Sequence, residues 1–266
     1  MTPTTRSTRP PTMLLVTCEH GGYDIPPQYR QVFAGWDDML RSHRGHDPGA
    51  LVLARDFAAF YGAPLIASTV SRLLVELNRS AHHRKIFSER TRALPEAEKA
   101  CILAAYYTPY RRSVEDHVAD AVAAGARVLH VSCHTFTPVL DGSERNTDVG
   151  LLYDPRRSGE RGLCEAWSRA LGARIAPLRV RRNYPYRGYD DGLTTSLRRK
   201  FPDDAYLGVE IEVNQKHALA RNGTFATIRD ALVHTLGALP DAPFRPATAT
   251  CGANPATAER RRTAQA

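Results

Sequence analysis

Two apolar runs of this 266-residue chain end in histidine. Leu14-Leu15-Val16-Thr17-Cys18-Glu19-His20-Gly21-Gly22 runs into a glycine turn, and Val128-Leu129-His130-Val131-Ser132-Cys133-His134 ends on a second imidazole. Asp47, in His46-Asp47-Pro48-Gly49, lies between them in the chain. Two imidazole nitrogens and one carboxylate oxygen would make a three-ligand zinc centre with a position left open for water. Plainer roles compete for each residue: a turn histidine satisfied by backbone for His20, a core histidine for His134, and a helix cap for Asp47. The Gly21-Gly22 pair is expected to let the main chain approach a ligand closely.

Water at such a centre needs a base. In Tyr206-Leu207-Gly208-Val209-Glu210-Ile211-Glu212-Val213-Asn214 the alternation of apolar and polar residues puts Glu210, Glu212 and Asn214 on one strand face. A carboxylate on an interior strand is costly to bury without a partner or a task, which makes Glu212 the first candidate and Glu210 its rival. One of the pair could instead hold a charged side chain or a ligand histidine, and a solvated strand face is the plain alternative for both. Arg72 and Arg79 flank a short apolar stretch that also carries Asn78, and the guanidinium fork suits a substrate carboxylate. Either arginine could equally pair with Glu76 or Asp47. Arg187, in a loop rich in Asn, Tyr and Gly, is a further donor on a segment suited to covering a substrate. Cys18 and Cys133 adjoin the histidines, but strand neighbours point to opposite faces, so both read as core residues rather than nucleophiles.

The elements that must position these groups follow from periodicity. Strands are expected at Leu14 to Thr17, Pro64 to Ser68, Leu73 to Leu77, Arg127 to Cys133, Val149 to Tyr153, Ala176 to Val180 and Tyr206 to Asn214. Helices are expected at Ala50 to Tyr61, Gly159 to Leu171, Leu193 to Lys200 and Thr224 to Leu236, with a long helical region from Glu96 to Ala124 broken or kinked near Pro109 and ended by Gly125. Alternating strands and helices imply an α/β fold: a three-layer arrangement whose mixed, mostly parallel sheet carries helices on both faces and its site at the carboxyl ends of the strands.

Composition narrows the class. With 42% hydrophobic and 24% charged residues, the chain can bury the core of one domain, expected over residues 13–239, between disordered segments at 1–12 and 240–266. The net charge of +8 favours an anionic partner, yet the basic residues are scattered and no nucleic-acid motif accompanies them, so a small anionic substrate is expected rather than nucleic acid. Five cysteines without C-x-x-C spacing suggest a reducing compartment, and the absence of an apolar leader or spanning segment suggests a cytoplasmic protein with no membrane partner. The oligomeric state is not legible.

At these residues the chain resembles the N-formylglutamate amidohydrolase family. The matching pieces are Glu19-His20-Gly21-Gly22, His46-Asp47, Ser71-Arg72 through Glu76-Leu77-Asn78-Arg79, Ser132-Cys133-His134 and Glu210 through Asn214, in the family's order between about Met13 and Lys216. The resemblance implies a zinc carboxypeptidase-like, phosphorylase/hydrolase-like fold and hydrolysis of an N-formyl or N-acyl amide, N-formylglutamate in the best-known branch. It implies metal positions at His20, Asp47 and His134, a base at Glu212, and a substrate side at Arg72, Asn78 and Arg79. Two departures stand out: Glu76 occupies the place of an aspartate of the histidine-degrading branch, and Glu19 that of a proline. Two other readings use the same residues: a zinc amidase acting on peptide or peptidoglycan amides, favoured by an open groove, and a metal-free binding protein on the same fold.

Overall fold

Four parallel strands set the frame. In the computed structural model, which describes residues 10–220 and 222–239, β1 (Thr12–Cys18), β2 (Leu65–Ala67) and β3 (Arg127–Phe136) precede the hairpin β4 (Val139–Leu140) and β5 (Ser143–Glu144). β6 (Val149–Leu152), β7 (Val180–Arg182) and β8 (Tyr206–Asn214) follow. The six-stranded sheet has the order β2-β1-β3-β8-β6-β7, with every pairing parallel except β6 against β8. The fold is therefore the expected α/β arrangement around a mixed, mostly parallel sheet.

Both faces of the sheet are covered. On one, Val16, Cys18, Val131, Cys133, Val209 and Ile211 pack with Phe57, Trp167 and Leu232 from the helices Ala50–Tyr61, Ser158–Arg174 and Thr224–Gly237. On the other, Leu15, Val128 and Tyr206 meet Val114 and Val118 of the helix Thr108–Ala123 and Leu193 and Leu197 of the helix Leu193–Arg198. Strands buried on both sides read as apolar runs, which is why the sequence marks them. Cys18 and Cys133 lie in the first cluster, on the face away from His134, and burial raises both thiols well above their usual range. They are core residues.

Four expectations change. Leu73 to Leu77 is no strand: Leu73, Leu74, Val75 and Leu77 are buried, but the segment runs through turns, with Ser71 Oγ accepting from Leu73 N and Glu76 N donating to Ile86 O. An apolar run reports burial, not conformation. The strand placed at Ala176 to Val180 begins only at Val180, where the ladder with Val149 starts, because Pro177 has no N–H to give and Arg179 N is taken by Asp148 Oδ2. The interruption expected near Pro109 falls just before it and takes the form of a π-helical turn at Leu103–Tyr107, between Glu96–Ile102 and Thr108–Ala123. β1 opens at Thr12, earlier than expected, pairing with Arg127. The tail expected from 240 onward, and residues 1–9 of the leading segment, lie outside the described residues.

Candidate metal centre and active site

The parallel ladder fixes the site. His134 sits directly opposite Glu212, and Ser132 opposite Glu210, at the carboxyl ends of β3 and β8. His20 follows β1, where Gly21 and Gly22 let the turn press against the Ser68–Thr69 backbone: a Cβ on Gly22 would lie 2.6 Å from Thr69 O. The two glycines thus serve a contact between chain segments. Asp47 is joined to His20 through the main chain, its N–H donating to His20 O at 2.9 Å. Asp47 is not the cap of the next helix, whose N-terminus is Gly49 in the left-handed region at φ 91°.

His20, Asp47 and His134 are all buried, and their ligand atoms lie within 4.8 Å of one another. Asp47 Oδ2 is 3.2 Å from His20 Nδ1 and 3.0 Å from His134 Nδ1, and the two rings are 5.0 Å apart. The opposite nitrogens are held from behind: His20 Nε2 by Glu76 Oε1 at 2.5 Å, and His134 Nε2 by Ser132 Oγ at 2.9 Å and Glu19 Oε2 at 3.0 Å. The sequence offered Glu76 as an ion-pair partner for the arginines and, with Glu19, as a departure from the family pattern, and Ser132 only as part of a matching segment; none of the three was assigned to a histidine. Glu76 carries no periodicity signal, because the apolar run that contains it is a buried loop.

The charges of the cluster suit a cation. Four buried carboxyl groups, Glu19, Asp47, Glu76 and Glu212, lie about the two imidazoles, and among the described residues Arg72, paired with Asp47 and Glu76, is the one guanidinium that forms ion pairs with these carboxyls. Burial opposes the charged forms of Asp47 and Glu76, but His20 and Arg72 outweigh it and hold both carboxyls below the usual range. Burial also disfavours imidazolium, yet the facing carboxylates raise His20 and His134 toward the protonated form. A divalent cation would meet the same demand for positive charge, and the donor set of two imidazoles and a carboxylate suits zinc. The residues present fit a divalent ion.

All nine residues selected from the sequence, His20, Asp47, Arg72, Asn78, Arg79, His134, Arg187, Glu210 and Glu212, line one cavity of about 160 Å³, together with Thr135, Tyr186, Asp190 and Asp191. Their circumstances differ. Arg72 is committed to Glu76, with Nε at 2.8 Å and Nη2 at 2.5 Å, and to Asp47, with Nη1 at 3.2 Å. Asn78 accepts from Leu193 N at 2.7 Å and turns its Nδ2 toward His134. Arg79 donates to Asp191 O, and the exposed Arg187 lies over the Tyr189 ring; neither forms an ion pair among the described residues. Glu210 Oε1 accepts the Thr194 hydroxyl at 2.5 Å, whereas Glu212 Oε2 is buried without a hydrogen-bond partner. Burial, with Asp47 and Glu210 nearby, raises the Glu212 carboxyl to about 8 against the pull of His134 and Arg72.

The sequence profile of N-formylglutamate amidohydrolase matches residues 12–219, which spans the sheet from β1 to β8 and every residue of this cavity. The chain belongs to the N-formylglutamate amidohydrolase family. Among solved structures, this amidohydrolase is similar to the gene product Atu2144 of Agrobacterium tumefaciens, at 31% identity and a TM-score of 0.71 over 85% of this chain and 90% of that one. It is also similar in fold to the N-formylglutamate amidohydrolase of Ralstonia eutropha JMP134, at 19% identity and a TM-score of 0.63, over 85% of this chain and 93% of that one. No functionally curated protein matches the sequence. Among the described residues, no helix of this family member is long and apolar enough to cross a membrane.

Proposed function

We propose that the chain is a zinc-dependent amidohydrolase that cleaves the amide of a small, anionic N-formyl or N-acyl amino acid such as N-formylglutamate. The observation that carries this reading is the convergence of His20, Asp47 and His134 beside a buried carboxyl, Glu212, that has an unpartnered oxygen. A zinc ion held by the three residues would polarise the amide carbonyl and acidify a water molecule. Glu212 accepts the proton of the attacking water as its oxygen bonds to the carbonyl carbon. The same proton passes to nitrogen as the C–N bond breaks, and a carboxylic acid and an amine leave. A carboxyl near neutrality is suited to both transfers. The hydroxyl bound to Glu210 favours Glu212 as the base.

With Arg72 committed to Glu76 and Asp47, recognition of a substrate carboxylate falls to Arg79 and Arg187, and Asn78 presents an amide donor beside His134. A cavity of about 160 Å³ suits an amino-acid-sized amide over a peptide or peptidoglycan strand, because drug-sized ligands occupy roughly 300–1,000 Å³. The free thiols of Cys18, Cys101, Cys133 and Cys164 accord with a reducing, cytoplasmic setting. The test is a screen of N-formyl, N-acetyl and N-succinyl amino acids, run with and without chelator. Chelator-sensitive release of an acidic amino acid is expected. Cleavage confined to peptide amides would overturn the substrate, and turnover unaffected by exhaustive chelation would overturn the zinc.

A further inference from the structure

The two metal-site histidines are backed unequally. Glu76 holds His20 Nε2, and its charge is balanced by Arg72 at 2.5 Å. Glu19, which holds His134 Nε2, is fully buried and has no such balance: its oxygens accept from the hydroxyls of Tyr110 at 2.9 Å and Ser132 at 2.7 Å, and among the described residues no lysine or arginine pairs with it. A buried carboxylate served only by hydroxyls and one imidazole needs its counter-charge through that imidazole. The Ser132 hydroxyl, in giving its hydrogen to Glu19, leaves its own lone pair facing His134 Nε2 at 2.9 Å. Both near neighbours of Nε2 therefore accept, the amide donor Asn78 Nδ2 standing farther off at 3.5 Å, which holds a hydrogen on Nε2; the hydrogen that Nδ1 gives to Asp47 is then the one a divalent cation would displace.

We propose that Glu19 is a positioning residue that fixes the Nε2–H tautomer of His134 and so presents Nδ1 to a divalent cation, strengthening the hold of the site on the ion. The inference rests on the zinc reading of His20, Asp47 and His134, and it gives a reason for the glutamate that precedes the first histidine. Glu76 and Arg72 form a neutralised pair behind His20, whereas Glu19 lends its full negative charge to His134.

The experiment measures zinc affinity of the full chain and of Glu19→Gln by chelator competition at one neutral pH, with the thermal midpoint of each metal-free protein as a control for folding. A folded Glu19→Gln with zinc affinity lower by about 10–100-fold is expected. Affinity within about twofold of wild type would overturn the role of Glu19 alone. Wild type that binds no zinc would overturn the metal reading and this inference together, so the two failures are separable. Nitrogen-15 chemical shifts of His134 in the zinc-loaded wild type give a second readout that needs no variant. A proton on Nε2 is expected, and a proton on Nδ1 would overturn the proposal even if Glu19→Gln failed to fold.

Discussion

Replacing Glu212 with glutamine should separate catalysis from stability, because the structure gives this carboxyl a cost that an amide of the same shape avoids. Glu212 is 6% exposed, and Oε2 has no hydrogen-bond partner. Its folded-state pKa of about 8 lies above the unfolded value of 4.5. The native protein therefore holds a proton that the unfolded chain has released across that window, and stability falls as pH rises from the lower value to the higher. The shift corresponds to about 5 kcal/mol above pH 8 and to nothing well below pH 4.5. In metal-free protein, where no ion offsets the charge, Glu212→Gln should match wild type near pH 4.5 and exceed it by several kcal/mol near pH 8.5, read from urea midpoints and slopes. Turnover of the metal-loaded enzyme should fall by about 10²–10⁴-fold, the range for loss of a general base. A stability difference that does not change between the two pH values would refute the electrostatic argument, and near-normal turnover would remove Glu212 from the chemistry.

Other changes probe neighbouring parts of the account. Arg79→Ala and Arg187→Ala should each raise KM for an anionic amide, by about 10-fold or more for Arg79, with little change in kcat, because a charge-assisted hydrogen bond is worth about 1.5–3 kcal/mol; an equal loss on a neutral amide would count against carboxylate recognition. His130, buried between the Thr17 and Tyr206 hydroxyls, is pushed down to about 4 by burial. Its folded value lies below the unfolded one, so its contribution falls as pH drops from about 6.5 to 4, by about 3 kcal/mol, and His130→Gln should remove that part of the acid sensitivity in denaturation series. An unchanged acid profile would contradict it. Trp167 is fully buried and donates to Thr235 Oγ1 at 3.0 Å on the face of the sheet away from the metal cluster. Trp167→Ala should lower stability by about 3–5 kcal/mol and leave zinc affinity of the folded protein unchanged, measured by denaturation and chelator competition.

What was legible in the sequence was what repeats or ends cleanly. β3 is an apolar run and β8 an alternating one, both buried on both faces, and His134 and Glu212, near their carboxyl ends, are carried into register by the ladder itself. The helix before β3 ends where Gly125 takes φ 79°, the conformation a glycine at that place announces. Less visible were groups whose role depends on what folds against them. Arg72 can clamp a substrate or pair with carboxylates by type alone, and only the buried loop that brings Glu76 back to it decides for pairing. Gly21 and Gly22 signal close approach without naming the neighbour, which proved to be the segment after β2. Glu19 lies at an otherwise ordinary strand end, and its grip on His134 joins residues far apart in the chain.

Metal content tests the central claim most directly. Protein purified without chelator should carry one zinc or other divalent ion per chain by elemental analysis, and a crystal of it should show anomalous density bonded to His20, Asp47 and His134. His134→Ala should abolish both signals while the sheet remains folded. Full metal content retained in that variant, or density bonded to other side chains, would contradict the account.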